Sequence, residues 1–341
     1  MQSVSCTCTE DGNDTLVSVV IVTHNRKGDV REAIHSVCVQ THPRFEILLV
    51  DNGSSDGTCQ MVREEFPHVR TTELARNVGP SAARNIGVDN SSGEVLFFLD
   101  DDATLAQDVI ETIVARFSRE RELGVIVCKI LDFFSHEPEW RLSGHLAGYH
   151  NKEFYLGDLT SEGATAIRRE VFRRAGGWPA HLFQYGEGRD MSYRILQQGF
   201  RMLYYPDALA YHKSSPFLGV SREEIARRRV FLTVRNDIWI AWTYLPVVRA
   251  LAETAVKLVY YPGTSLRRRT LTPCLKGVVA AFIGLPDLLR RRRRPVRPET
   301  LAQMDHMLHR TIIQKPEELA DAKPLGLLSL LSAKLRYLAT S

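Results

Sequence analysis

Asp100, Asp101 and Asp102 stand directly behind the apolar run Val95-Leu96-Phe97-Phe98-Leu99, and this pairing carries more chemistry than any other stretch of the chain. The five apolar residues, bounded by Gly93 and by the acids, read as a buried strand. Three adjacent carboxylates at the end of a buried strand are costly unless positive charge meets them. Carboxylate oxygens are hard ligands, so Mn or Mg is the natural partner, and both ions accompany phosphate groups. The bland alternative makes Asp102 the N-cap of a following helix, with the other acids favoured by its dipole. Capping explains one acid, but not three where a strand stops, so a divalent cation and a nucleotide are the expectation.

The acids need a sheet to hold them. Apolar runs at 17–22 and 45–50 read as further buried strands, followed by helices at about 29–40 and 58–66. A helix is expected over 104–119, a strand over 124–130 and short helices over 165–175 and 189–198. Residues 202–205 and 208–212 read as extended around Pro206-Asp207. Near-continuous apolar strands alternating with helices argue a mostly parallel sheet flanked by helices. Ligands of such sheets sit at the carboxyl ends of the strands, where Asp51 and Asp100–Asp102 both fall. Ser221-Arg222-Glu223-Glu224 has the form of a capping box and opens a long helix stopped near Pro246.

The 341 residues suffice for one large α/β domain with an appendage. A net charge of +4 conceals an asymmetry, because residues 266–298 hold ten cations against the single acid Asp287. The apolar run 274–286 between the two arginine clusters reads as too short to cross a bilayer, but suited to lie against an anionic leaflet. A solvated basic face beside a packed helix is the equal alternative. Nucleic acid is not an expected partner, since no aromatic residues interleave with the cations. The six cysteines lack zinc spacing; Cys38, Cys59 and Cys128 lie in apolar stretches as reduced thiols do, and no signal peptide is legible. These features point to a cytoplasmic setting, peripheral on the inner face of the membrane if the basic segment binds it.

The first strand leads into Thr23-His24-Asn25-Arg26 rather than a glycine-rich phosphate loop. Together with 19–26, the stretches 49–58 (Leu-Val-Asp-Asn-Gly-Ser-Ser-Asp-Gly-Thr) and 77–87 (Asn-Val-Gly-Pro-Ser-Ala-Ala-Arg-Asn-Ile-Gly) and the acidic motif 98–102 resemble the inverting nucleotide-sugar glycosyltransferases of family 2, in the family's order from about 17 to 212. The resemblance implies a GT-A, Rossmann-like domain over 16–215, with a nucleotide-sugar half at about 16–103 and an acceptor half at about 104–215. A loose tail over 1–15 precedes it, and a helical basic region over 216–341, associated with acceptor or membrane, follows.

Carried over by position, the resemblance places Thr23, Asn25 and Asp51 at the nucleotide, Asp51 suiting the imide N–H of a UDP- or dTDP-sugar. Arg84 and Asp100 fall near phosphate and ribose, and Asp101 near the sugar. Asp102 falls as principal metal ligand, with Asp100 and His212 beside it. Inverting transfer needs a general base opposite the leaving nucleotide. The family's acidic motif corresponds to 185–194, where Gly188 replaces the usual second acid, leaving Glu187, the preferred base, or Asp190. Arg235 and Asn236 are expected to face the site or acceptor, and Trp239, Trp242 and Tyr244 to pack against the catalytic domain. The acceptor is a glycan, a lipid-linked sugar or a natural product. An inactive binding or scaffold relative, and a nucleotidyltransferase, are the rival readings.

Overall fold

The computed structural model describes residues 14–138, 149–159, 163–214, 220–306, 313–320 and 326. The expected loose tail, with Cys6 and Cys8, lies outside the described residues apart from its last two positions. Four parallel strands come first, in sheet order β3 (Arg70–Glu73), β2 (Phe45–Asp51), β1 (Val17–Thr23) and β4 (Val95–Asp100). Helices α1 (Lys27–Cys38), α2 (Thr58–Glu65) and α3 (Pro80–Asp89) connect them. β1, β2 and β4 are almost wholly buried, which is why they read as unbroken apolar runs. Because β1 lies between β2 and β4, the strand order reverses at β1. Thr23 sits beside Asp51, and Val22 beside Asp100, at the crevice this reversal opens.

Beyond β4 the sheet becomes mixed, continuing through β8 (Ala164–Arg168), β6 (Leu123–Asp132), β9 (Arg201–His212) and β5 (Ala103–Leu105), with β7 (Phe154–Tyr155) on β9. β6 and β9 are parallel, whereas β8, β5 and β7 pair antiparallel with their neighbours. Two expected helices are shorter than their sequence pattern. Residues 103–105 form a strand against 210–212, so α4 covers only Val109–Arg119. Residues 164–168 insert as a strand between β4 and β6, leaving α5 only Arg169–Ala175. Long-range pairing outweighs local helix propensity in both. The two extended segments around Pro206 are one strand, whose register against β6 slips between Cys128 and Lys129 to absorb the proline.

α6 (Glu187–Leu196) follows a 3-10 turn at Ala180–Leu182. Ser221 caps α7 (Arg222–Tyr244), its hydroxyl accepting the Glu224 amide at 3.1 Å, as the capping box requires. α8 (Val247–Arg267), α9 (Leu271–Arg292), α10 (Pro298–His306) and α11 (Pro316–Ala320) complete the chain. Helices α7, α8 and α10 contribute to one of the two large core clusters. Ile240, Tyr244, Leu245, Ala250 and Leu301 join Phe98, Trp178 and Met191 in one buried cluster. The apolar run expected to be too short for a bilayer belongs to α9, whose 22 residues are long and apolar enough to cross one by length and composition. The helix's own propagation past Pro273 and Pro286 supplies the extra turns. It packs on α7 through Gly277, which meets Phe231, and Gly284, which meets Trp239, yet only 28% of its apolar window is buried.

Candidate active site

The strand ends bring the acids together with cations that the sequence separates widely. Arg84, on α3, donates from Nη2 to Asp100 Oδ1 at 2.9 Å, and its guanidinium lies 5.3 Å from the centroid of the Trp178 ring. α3 and Trp178 are locked through the Asn85 amide, which donates to the Trp178 carbonyl at 2.9 Å and accepts its N–H at 2.8 Å. Arg26, just past β1 and 7% exposed, bridges Asp101 and Asp102. Positive charge therefore meets all three acids from within the chain, a compensation that the strand pattern alone had assigned to a cation. Arg26 was readable as a cation directly after the strand beside β4, a signal that the glycine-loop comparison passed over.

Asp102 does not cap a helix, because α4 begins at Val109 with Asp108 at its N-cap position. Instead the chain enters β5, and the β5–β9 pairing sets His212 beside Ala103. His212 Nε2 then lies 3.1 Å from Asp102 Oδ1. Burial pushes the Asp102 carboxyl up, but His212 and then Arg26 outweigh it and hold it down at about 2. Asp101 is pushed up by burial to about 7 against the pull of Arg26. One ligand atom each from Asp100, Asp102 and His212 lie within 4.8 Å of one another. Two carboxylate oxygens and an imidazole nitrogen at that spacing fit Mn well and Mg acceptably. The Asp100 amide donates to Gly163 at 2.9 Å, and a methyl on Gly163 would overlap the Asp100 carboxylate.

Thr23 and Asp51, both 1% exposed, end β1 and β2 side by side. Asp51 also makes a turn: Oδ1 accepts the Ser54 amide at 2.7 Å, and Oδ2 accepts the Cys59 thiol at 2.8 Å. A carboxylate has about four lone-pair sites, so these two bonds leave acceptor capacity. Asn25, at φ 54°, braces the facing loop, its amide donating to Ser54 Oγ and its Oδ1 accepting the Ser55 amide.

The two candidate bases have different surroundings. Glu187 begins α6, is 5% exposed, and its Oε2 has no hydrogen-bond partner among the described residues. Burial raises its carboxyl above the ordinary carboxylate range, against the pull of Arg84 and with the help of Asp100. Asp190, one turn on, is taken up by Arg194 and by the Tyr244 hydroxyl, which donates at 2.8 Å. It ties α6 to α7. Arg235 and Asn236 face neither strand end; they hold the backbone of the loop before Glu187, Asn236 Nδ2 reaching Leu182, Gln184 and Tyr185 carbonyls and Arg235 reaching Leu182. Trp239 and Trp242 donate to Ala281 and Thr254, consistent with packing.

A crevice at the strand-order reversal of a mixed sheet, lined by paired acids, arginines and a buried glutamate, is the arrangement of a GT-A fold. Residues 18–176 match the family model Glycosyl transferase family 2. Among relatives, a glycosyltransferase of Rickettsia conorii is 40% identical over 115 residues, which is 32% of this chain and 18% of the relative. The chain thus spans less than a fifth of that relative's length. Glycosyltransferase AglE of Haloferax volcanii is 26% identical over 256 residues, 67% of this chain and 81% of AglE. Among solved structures, GalNAc-T7 with UDP, GalNAc and Mn2+ superimposes with a TM-score of 0.57 at 19% identity, covering 81% of this chain and 58% of that one. The likeness establishes the fold. These comparisons favour neither of the rival readings.

Proposed function

We propose that the protein transfers a sugar from a UDP- or dTDP-sugar to an acceptor hydroxyl, with inversion at the anomeric carbon and Glu187 as general base. One observation carries the reading: Glu187 is buried at a helix start, its Oε2 without a hydrogen-bond partner among the described residues, in the electrostatic field of Arg84 and Asp100. A carboxyl raised in this way takes up a proton more readily than an ordinary carboxylate, as a general base requires. The acceptor oxygen forms its bond to the anomeric carbon while the bond from that carbon to the diphosphate breaks. The electron pair leaves with the nucleoside diphosphate, and the proton passes to Glu187. Asp100, Asp102 and His212 would hold Mn or Mg, which when bound neutralises charge on the departing diphosphate. Thr23 and Asp51 would meet the nucleotide base, Asn25 shaping their loop. Arg84 orients Asp100, and Asp101 borders the sugar. The UDP and Mn2+ of GalNAc-T7 support this assignment of donor class and cation.

The division into a catalytic domain over 16–215 and a C-terminal region over 216–341 carries a second part of the proposal, that the latter rests on an anionic membrane. Leu275, Val279, Phe282 and Ile283 on α9 and Val248, Leu251, Val259 and Leu266 on α8 are exposed apolar side chains. Arg267–Arg269 and Arg290–Arg294 flank them, as an interfacial helix pair requires. Such a seat suits a lipid-linked or polymeric glycan acceptor at the cytoplasmic face, whereas a soluble natural product would not need it.

The test is Glu187→Gln beside Asp190→Asn, with donor binding followed by calorimetry and transfer by product release. Glu187→Gln is expected to keep donor affinity and lose about 10²–10⁴ in turnover. Asp190→Asn is expected to lower stability by loosening Arg194 and Tyr244 while retaining transfer. A nearly normal Glu187→Gln with an inactive, well-folded Asp190→Asn would move the base one helical turn along.

A further inference from the structure

A second cavity, of about 400 Å3, lies behind α6, and its lining includes none of Asp100, Asp102, His212 or Glu187. Three segments meet there: the turn carrying Trp178 and His181, the α6 residues Asp190 and Arg194, and the end of α9 with Arg291, Arg292 and Arg294 just past it. The only carboxylate in this lining, Asp190, is already committed to Arg194 and Tyr244. Arg291 is held in part by Asp287 at 2.6 Å, while Arg292 and Arg294 are exposed at the rim. Positive charge here is therefore in excess. Burial, and after it the Arg292 charge, pushes the His181 imidazole down to about 4.

Two buried donors of the lining also lack acceptors. Trp178 is 2% exposed, and its Nε1–H finds no partner among the described residues; neither does Arg194 Nε. An unpaired buried donor is a standing penalty that an incoming acceptor would relieve. Excess guanidinium groups, orphaned N–H donors and enclosed space together are what a multiply charged oxyanion needs, since arginine forks match phosphate oxygens.

We propose that this cavity binds a phosphate- or diphosphate-bearing ligand, separately from the site at the strand ends. The two exposed apolar helices nearby make a lipid headgroup one source, and a soluble phosphate compound is the other. An occupant would touch Trp178, which stacks on Arg84, and α6, whose first residue is Glu187, so it would brace both from behind. This inference concerns binding alone and does not rest on the transfer chemistry.

The experiment titrates the full chain with inorganic pyrophosphate in EDTA, which silences any cation-dependent binding at the strand ends. Saturable binding is expected, weakened about tenfold or more in Arg292→Gln/Arg294→Gln, which removes two charge-assisted contacts. Arg267→Gln/Arg268→Gln, remote from the lining, is expected to stay within about twofold of the parent. Thermal melts confirm that both variants are folded. Vesicles of phosphatidylcholine doped with phosphatidate are then offered as competitor, against vesicles of phosphatidylglycerol at equal charge. Displacement by phosphatidate alone identifies the lipid source, and retention of pyrophosphate against both identifies the soluble one. Absence of saturable binding, or equal weakening in the two double variants, overturns the proposal.

Discussion

Asn236 offers a direct measure of how the C-terminal helices govern the site. The loop before Glu187 is held in an unfavourable backbone shape. Phe183 has φ 68° and ψ −64°, with the Gln184 amide donating back to the Leu182 carbonyl at 2.9 Å, which is a γ-turn of the strained kind. Tyr185 and Gly186 follow at φ 68° and 91°. Asn236, fully buried on α7, donates from Nδ2 to the Leu182, Gln184 and Tyr185 carbonyls at 3.0, 2.9 and 2.7 Å. Arg235 Nε orients that amide by donating to Asn236 Oδ1 at 2.9 Å, and its Nη2 donates to Leu182 at 2.8 Å.

In Asn236→Ala the Leu182 carbonyl keeps Arg235, so two carbonyls lose their donor. At about 1–3 kcal/mol for each buried unpaired group, the loss is about 2–6 kcal/mol. For a chain of this size that lowers Tm by about 3–8 °C. Asn236→Asp is more severe despite its equal size, because the oxygen replacing Nδ2 would face three carbonyl oxygens, a repulsion that exceeds what Arg235 Nε returns at the other oxygen. Its folded-state pKa must rise, so the native state binds a proton the unfolded chain releases, and its deficit should shrink as pH falls. Differential scanning calorimetry across pH 5–8 and turnover at a temperature where both variants are folded check the two consequences. Turnover should fall in both, since the loop sets where Glu187 begins α6. Parental stability of Asn236→Asp at neutral pH, or an unchanged Tm in Asn236→Ala, refutes the clamp.

Three further outcomes follow from the same geometry. Because burial raises the Glu187 carboxyl, turnover should fall tenfold per pH unit below that raised pKa, while above the unfolded value its ionisation opposes folding, so Glu187→Gln should gain stability relative to the parent as pH rises; a flat pH–rate profile counts against Glu187 as the base. Gly163→Ala should displace the Asp100 carboxylate and abolish Mn stimulation of nucleotide binding with little change in Tm, and unchanged stimulation would remove Asp100 from the cation's ligands. Co-sedimentation with anionic vesicles should occur at low salt and weaken as salt rises, at about 1 kcal/mol per arginine near the surface, and its absence would leave a soluble acceptor.

What the sequence made legible depended on how far each signal reached. β1, β2 and β4 were readable because burial on both faces leaves unbroken apolar runs, and the α7 start because its cap lies within four residues. β5 and β8 were not, because three and five residues hydrogen-bonded to distant strands carry no periodicity of their own. The acids were readable as a group, and Arg26 as a cation after the first strand, but which acid each cation meets was not. Arg26 reaches Asp101 across 75 positions through the β1–β4 pairing, and Asp102 meets His212 across 110 through the β5–β9 pairing. Asn236 was misread for a related reason. Its partners are backbone carbonyls 51 to 54 positions away, and a carbonyl has no residue type. A polar side chain on a helix beside an active site looks equally like a substrate contact or a clamp until the acceptor is known. Here the acceptors belong to the loop that sets Glu187, so part of what resembled acceptor recognition on α7 is instead the means by which the C-terminal helices fix the start of α6.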